Sequence, residues 1–248
     1  MEYNNLDQTG QHYMIDKSVI AFIIENSELE KEDIVLEIGY GKGALTRELA
    51  KKCKVIAIDI EEHKLDVKNV NFITGNILKT FDELYNKYKF NKIVANIPYN
   101  ISEPLMKLMF KKHSEIELII LTVGQNFSNI LGQTNNRLGI VTNRLYELEL
   151  LKTVKPKSFI PAPRVDSSII RLAPRYDSFS DLYFRLMLFD DKYLKNALES
   201  VITSKTKKEI KSITTAPYFE KKFYELSNPE FIQLDSFLEK MHSEISKV

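Results

Sequence analysis

The fold is decided by residues 34–59, which read IVLEIGYGKGALTRELAKKCKVIAID. The stretch opens with a short apolar run typical of a buried strand, and three glycines (Gly39, Gly41 and Gly43) follow within five residues. Leucines at helical spacing come next, and a second β-branched run ends at Asp59. A strand, a turn, a helix and a second strand in this order require a crossover connection, so we predict that the two strands are parallel.

The same alternation continues on both sides of this stretch. Asp16 is a suitable N-cap for a helix upstream, and a helix is predicted over residues 103–112 downstream. Further strands are predicted at residues 70–73, 92–95 and 116–123. Strands separated by helix-length segments indicate an α/β fold of the Rossmann type, with a mostly parallel sheet covered on both faces.

The pattern changes in the last third of the chain. Strands are predicted around residues 140–150 and 167–172, separated by the proline-bearing stretch at residues 159–163, which we expect to be an extended loop. Helical patterns then follow at residues 181–189, 193–203 and 231–245. We therefore expect an α/β domain at residues 1–175 and a small helical domain at residues 176–248.

Composition excludes several classes of protein. The 248 residues are 44% hydrophobic, with 35 basic and 34 acidic side chains, which excludes a disordered chain. The single cysteine, Cys53, excludes a disulfide scaffold and fits a reducing compartment. No apolar run reaches the ~20 residues that span a bilayer, and the first residues carry no export signal. We expect a cytoplasmic protein without a membrane partner.

The glycine turn predicts a ligand site. Glycines let the backbone approach a ligand closely, and the spacing G-x-G-x-G differs from the G-x-G-x-x-G of dinucleotide folds. Asp59 could accept hydrogen bonds from the ribose of an adenosine-containing ligand, as in a nicotinamide enzyme. Glu37, just before the turn, suits the positive methionine end of S-adenosylmethionine better than a pyrophosphate. A turn that is merely tight is the structural alternative.

A second candidate site is the tetrad Asn96-Ile97-Pro98-Tyr99, at the carboxyl edge of the fourth strand. An amino group on an aromatic base is a poor nucleophile, because its lone pair is delocalised into the ring. Methyl transfer to it needs acceptors for its hydrogens, and the Asn96 side-chain oxygen and a backbone carbonyl held by Pro98 could supply them. Tyr99 offers an aromatic face for the base. On its own, the tetrad is also compatible with an ordinary turn.

Four motifs in order resemble the ribosomal RNA adenine N6-dimethyltransferases, whose branches are the KsgA and Erm enzymes. They are GQHYM at residues 10–14, the glycine turn, NIPY at residues 96–99 and FIPAPRVDS at residues 159–167. The resemblance implies a class I methyltransferase fold with a seven-stranded sheet, S-adenosylmethionine as cofactor, and ribosomal RNA or a ribosomal subunit precursor as partner. The form Val165-Asp166-Ser167 is usual in the KsgA branch, which implies dimethylation of two adjacent adenines near the 3′ end of small-subunit RNA.

The resemblance also implies roles for individual residues. The expected cofactor contacts are Gln11, His12, Met14, Glu37, Gly39, Gly41, Asp59, Asn76 and Asn96. The expected catalytic residues are Asn96, Pro98, Tyr99 and Phe159. The rings of Tyr99 and Phe159 would sandwich the target adenine, whereas composition alone makes Phe159 a core aromatic. Most members have Asp at the position of Asn76, so we expect a weaker hydrogen bond there to the adenine of the cofactor.

Other functions stay open at this point. An Erm-like enzyme would methylate large-subunit RNA, a ribosome-assembly factor would keep the fold with little catalysis, and a dehydrogenase would bind NAD. Asn76, Asp190 and Asp191 favour the assembly factor, because the two acids replace family arginines and would repel phosphates. Basic residues between Leu150 and Arg175 could instead face phosphates. We expect no bound metal, because the four histidines are scattered in the sequence. We also expect the protein to be a monomer.

Overall fold

A computed structural model of the protein describes residues 11–202, 205 and 207–245. Gly10, which opens the GQHYM motif, and residue 203, which ends a predicted helix, lie outside them. The strands are β1 (Tyr13–Met14), β2 (Ile34–Ile38), β3 (Lys54–Asp59), β4 (Val70–Thr74), β5 (Lys92–Asn96), β6 (Leu118–Gly124), β7 (Tyr146–Val154), β8 (Phe159–Ile160) and β9 (Ser167–Pro174).

The helices alternate with the strands in the first half of the chain and dominate its end. They are α1 (Lys17–Asn26), α2 (Ala44–Leu49), α3 (Ile77–Tyr88), α4 (Ser102–Phe110), α5 (Gln125–Leu131), α6 (Arg137–Leu145), α7 (Ser178–Leu188), α8 (Leu194–Val201), α9 (Lys207–Ile213) and α10 (Asn228–Ile245). Short 3-10 helices occur at Tyr99–Ile101, Pro156–Ser158, Pro217–Glu220 and Phe223–Glu225. None of the helices in the described part of the chain is long and apolar enough to cross a membrane.

Seven strands form one mixed sheet in the order β4-β3-β2-β5-β6-β9-β7. The pairs from β4 to β6 are parallel, and β9 is antiparallel to β6. Every residue of β6 is buried, which means that both faces of the sheet are covered, because successive side chains point to opposite faces. The predicted α/β fold with a mostly parallel sheet is confirmed.

The strand order changes direction at β2. From this strand the chain proceeds to β3 and β4 on one side, and then returns to β5 and β6 on the other. Such a reversal leaves a crevice at the carboxyl ends of the two strands that flank it, where open α/β sheets bind ligands. The glycine turn after β2 and the NIPY tetrad after β5 are therefore placed at one edge.

The chain divides into two compact units. The first comprises Met1–Asn129 and Leu148–Pro174, and the second comprises Ile130–Glu147 and Arg175–Val248. The division differs from the predicted domains because the segment from Ile130 to Glu147 clusters with the C-terminal helices. Its helix α6 contacts α7 and α10 within the second unit. The Arg144 guanidinium of α6 donates two hydrogen bonds of 2.9 Å to the Asp235 carboxylate of α10.

The strand predicted around residues 140–150 is wrong for residues 140–145, which end α6; β7 begins only at Tyr146. The β-branched run from Ile140 to Thr142 favours a strand locally. Two features favour the helix instead. The Asn136 side-chain oxygen accepts a hydrogen bond of 2.8 Å from the Gly139 N–H and caps its first turn, and the β-branched residues are buried.

The glycine turn and β1 are packed against each other in the first unit. Gly39, Gly41 and Gly43 all have positive φ, at 75°, 46° and 73°. A Cβ built on Gly41 would lie 2.6 Å from two ring carbons of Tyr13. Both the backbone conformation and the contact therefore require glycine at this position.

We predict that Gly41→Ala lowers the free energy of unfolding by about 2 kcal/mol or more, because it adds backbone strain and displaces the Tyr13 ring. The matched control is Gly75→Ala, where the new Cβ would meet Ile58 Cδ1 at an ordinary 3.8 Å. Urea denaturation of both variants checks the prediction, and equal stability of the two would contradict it.

Candidate active site

A cavity at the carboxyl ends of β2, β3 and β5 brings most of the predicted site residues together. Those that line it are Gln11, His12, Met14, Glu37, Gly39, Asp59, Asn76, Asn96, Pro98 and Tyr99. Gly41 and Phe159 are the two predicted residues that do not. A larger groove of about 1010 Å³ lies beside α1 and α2, and it contains none of the predicted site residues. The predicted site residues therefore converge on the first cavity and not on the larger groove.

Glu37 is a buried acid in the wall of this cavity. Glu37 lies on β2, an inner strand of the sheet between β3 and β5, and is 2% exposed. Its Oε2 atom has no hydrogen-bond partner among the described residues. Burial raises the pKa of Glu37 to about 8; Thr46 close by lowers it and the Asp59 carboxylate raises it further. A neutral acid therefore predominates at pH 7, and an approaching cation would favour its ionised form.

Asp59 ends β3 and holds the glycine turn. Its Oδ2 accepts a hydrogen bond of 2.9 Å from the Gly41 N–H, and its Oδ1 accepts one of 3.1 Å from the Glu61 N–H. Each carboxylate oxygen can accept more than one hydrogen bond, so the group can still accept from a ligand's hydroxyls. The Gly41 N–H instead donates to Asp59, and Gly41 does not line the cavity, contrary to its predicted contact with the cofactor.

Asn96 ends β5 and is oriented by the N-terminal segment. Its Nδ2 donates a hydrogen bond of 2.8 Å to the His12 carbonyl. The His12 ring in turn donates from Nδ1 to the Pro161 carbonyl at 2.9 Å. Because the NH₂ end of the amide is engaged, Oδ1 is the end that can accept a hydrogen bond from a ligand. The site thus presents a neutral acceptor in a fixed orientation.

The Tyr99 side chain contacts Ser167 and Gly124, two residues for which no role was predicted from the sequence. Its hydroxyl shares a hydrogen bond of 2.7 Å with Ser167 Oγ, and burial raises its pKa. Its ring lies against Gly124 at the end of β6, where a Cβ would be 3.5 Å from the ring carbons. Gly124 could have been found from its position after a predicted strand, and Ser167 from its place in the FIPAPRVDS motif.

Phe159 differs from its predicted role. It is 2% exposed and belongs to the same hydrophobic core cluster as Met14 and the α1 residues Val19 and Ile20. The reason is the pairing of β8 with β1, which sets Phe159 opposite Met14. The predicted pair of rings around a target base is therefore not formed in this structure. The ring beside Tyr99 is that of His12, at a centroid distance of 5.6 Å.

The basic stretch predicted to face phosphates is partly neutralised. Lys155 forms an ion pair of 2.6 Å with Asp166, and Arg171 forms one of 2.8 Å with Glu28. Lys157 and Arg164 are exposed in the first unit, and the described residues offer neither of them an ion-pair partner. These two cations remain available to an anionic ligand.

Asn76 is exposed at the edge of the cavity. Its Oδ1 accepts a hydrogen bond of 2.9 Å from the Leu78 N–H and so caps α3. One lone pair of this neutral oxygen is thereby used within the protein. Only the second can accept from a ligand, in a bond without charge assistance.

Solved structures of known proteins share this fold. A dimethyladenosine transferase from Plasmodium falciparum matches with a TM-score of 0.60 and 24% identity, over 90% of this chain and 96% of that one. The 23S rRNA methyltransferase ErmE matches with a TM-score of 0.57 and 20% identity, over 92% of this chain and 99% of that one. These likenesses confirm the predicted methyltransferase fold with its C-terminal helical region.

Sequence relatives extend the similarity to the family. Proteins named probable ribosomal RNA small subunit methyltransferase A are 30% identical over 250 residues in Pyrococcus abyssi and 31% identical over 258 residues in Methanococcoides burtonii. Each alignment covers 94% of this chain, and 91% and 93% of the respective relative. The family model for ribosomal RNA adenine dimethylase matches residues 3–235. On this evidence, the chain belongs to the ribosomal RNA adenine dimethylase family.

Proposed function

We propose that the protein transfers methyl groups from S-adenosylmethionine to N6 of adenine in ribosomal RNA. The observation that carries this proposal is the fixed Asn96 amide, whose oxygen end is left as a neutral acceptor at the carboxyl edge of the sheet. The relatives named small subunit methyltransferase A support small-subunit RNA as the substrate. The form Val165-Asp166-Ser167 favours two adjacent adenines near its 3′ end, each dimethylated.

The cavity fits this cofactor. The unpartnered, buried Glu37 Oε2 suits a cationic ligand, and the Asp59 carboxylate suits two ribose hydroxyls. Gly39 has positive φ and lines the cavity, and without a side chain its backbone is open to close approach by a ligand. When bound, S-adenosylmethionine supplies an electrophilic methyl group on a positively charged sulfur. Asn76 would hold the adenine of the cofactor through its remaining lone pair.

The residues after β5 would orient the target amine. Asn96 Oδ1 would accept one N–H of the adenine amino group, and the backbone carbonyl beside Pro98 would accept the other. This geometry turns the nitrogen lone pair toward the methyl group, and no strong base is required. As the new N–C bond formed, the bond between the methyl carbon and the sulfur would break to leave a neutral thioether, and the amine would release one proton to the solvent. The Tyr99 ring, fixed by Ser167 and Gly124, would support the base.

Residues outside the cavity lining would also contribute to methylation of the RNA. Lys157 and Arg164, which are exposed on either side of the Phe159–Pro163 stretch, would contact its phosphates. Phe159 itself would act through the core, by holding β8 against β1 and thereby the segment that orients Asn96.

The proposal predicts a specific product. Incubation with labelled S-adenosylmethionine and unmethylated small ribosomal subunits should yield N6-methylated adenines near the 3′ end of the RNA, located by mass spectrometry. A failure to methylate either subunit, under conditions that support a control enzyme, would refute the proposal. Label on a large-subunit adenine alone would indicate an Erm-like activity instead.

Asn96→Ala should reduce the methylation rate by about a hundredfold or more while the protein stays folded, since it removes the acceptor that orients the amine. The control is Asn129→Ala, at an exposed position on α5 outside the cavity. Initial rates and thermal melts of both variants provide the measurement. Undiminished methylation by the Asn96 variant would contradict the assigned role.

Cofactor affinity should depend on pH through Glu37. A bound cation favours the carboxylate, whereas burial raises the pKa of Glu37 to about 8 in the free protein. Binding below pH 8 must therefore remove a proton, and the dissociation constant should rise by up to about tenfold for each pH unit below 8. Above pH 8 Glu37 should contribute no further pH dependence. Calorimetric titration with S-adenosylmethionine from pH 6 to 9 measures the profile.

Glu37→Gln provides the matched control for this profile. Glutamine has the shape and the neutral charge of the protonated acid, so the variant should fold normally and lose the pH dependence. A sloping profile that persists in the variant would assign the titration to a group other than Glu37.

A further inference from the structure

Lys42 is a cation in the wall of the cavity. It lies within the glycine turn between Gly41 and Gly43, and its side chain is exposed. Among the described residues that line the cavity, it is the one lysine or arginine. Its Nζ stands 5.3 Å from the centroid of the Tyr13 ring, and none of the described carboxylates pairs with it. An aromatic ring positions this cation without neutralising it.

The neighbouring Arg47 binds the backbone of the glycine turn. Its Nη1 donates hydrogen bonds of 2.8 and 2.9 Å to the carbonyls of Lys42 and Gly43. The guanidinium thus fixes the backbone from which the Lys42 side chain extends. Of these two cations, Lys42 is the one left to bind a ligand.

Tyr13 connects Lys42 to a second hydrogen-bond donor. Its hydroxyl donates a bond of 2.9 Å to Gln11 Oε1, which leaves the Gln11 Nε2 group as the donor end of the amide. The Tyr13 ring packs directly on Gly41, since a Cβ at that position would lie 2.6 Å from two of the ring carbons. The Lys42 ammonium and the Gln11 amide thus both contact the Tyr13 side chain, and both residues line the cavity.

We infer that Lys42 binds the α-carboxylate of S-adenosylmethionine and makes the site selective for the intact amino-acid end of the cofactor. This inference rests on the proposed function. The methionine end of the cofactor carries two positive groups and one negative group. Glu37 and Asp59 provide acids for the positive groups and for the ribose, and Lys42 is the one lysine or arginine among the described lining residues that could bind the carboxylate. Gln11 would contribute a neutral donor beside it.

The test compares two methyl donors, S-adenosylmethionine and its decarboxylated analogue, in the absence of RNA. Lys42→Met should weaken binding of S-adenosylmethionine about tenfold, and Lys42→Arg should retain most of the affinity. Binding of the decarboxylated analogue should be the same in wild type and in Lys42→Met. Lys51→Met, which removes an exposed lysine of the same segment from its pair with Glu48, is the matched control and should bind both donors like wild type.

The outcomes separate the inference from the proposed function. If Lys42→Met weakened binding of both donors equally, or of neither, the carboxylate role would be overturned. A variant with normal donor affinity and a raised KM for ribosomal subunits would assign Lys42 to an RNA phosphate instead. If the wild-type protein bound no S-adenosylmethionine, the proposed function would fail together with the inference. Thermal melts show that each variant is folded.

Discussion

The hydrogen bond from the Gly41 N–H to Asp59 Oδ2 is the contact on which the cavity depends. It joins the turn after β2 to the end of β3, and it can form only because the turn has positive φ at its glycines. The same turn carries Lys42 and follows Glu37. One backbone conformation therefore sets the positions of two acids and one cation at the carboxyl edge of the sheet.

The other wall of the cavity depends on segments that lie far apart in the chain. Residues 11–14 are held by the strand pair of β1 with β8, which sets Met14 opposite Phe159, and by the bond from His12 to the Pro161 carbonyl. The His12 carbonyl then orients the Asn96 amide. A core aromatic can thus affect the Asn96 side chain through the backbone between them, and this connection is the basis of the indirect role proposed for Phe159.

The sequence predicted the parts of the fold that local pattern determines. The run from β2 to β3 is local, so periodicity and the glycines were sufficient to place Glu37 and Asp59 together. Residues 140–145 were mistaken for a strand because their β-branched side chains are locally ambiguous, and only packing in the second unit decides for α6. The burial of Phe159 follows from a strand pair with residues far away in the chain, which no spacing within a motif reveals.

The charges of the cavity also explain why the fold tolerates a buried acid. An isolated carboxylate at the position of Glu37 would be costly, and burial keeps the group largely protonated at neutral pH. Its ionised form becomes favourable only beside a cation, so binding of a positively charged ligand and loss of a proton are coupled. The Asn96 amide carries no charge at any pH that the protein survives. In the proposed reaction, Glu37 would therefore face the cationic methyl donor, and the neutral Asn96 amide would face the uncharged amine.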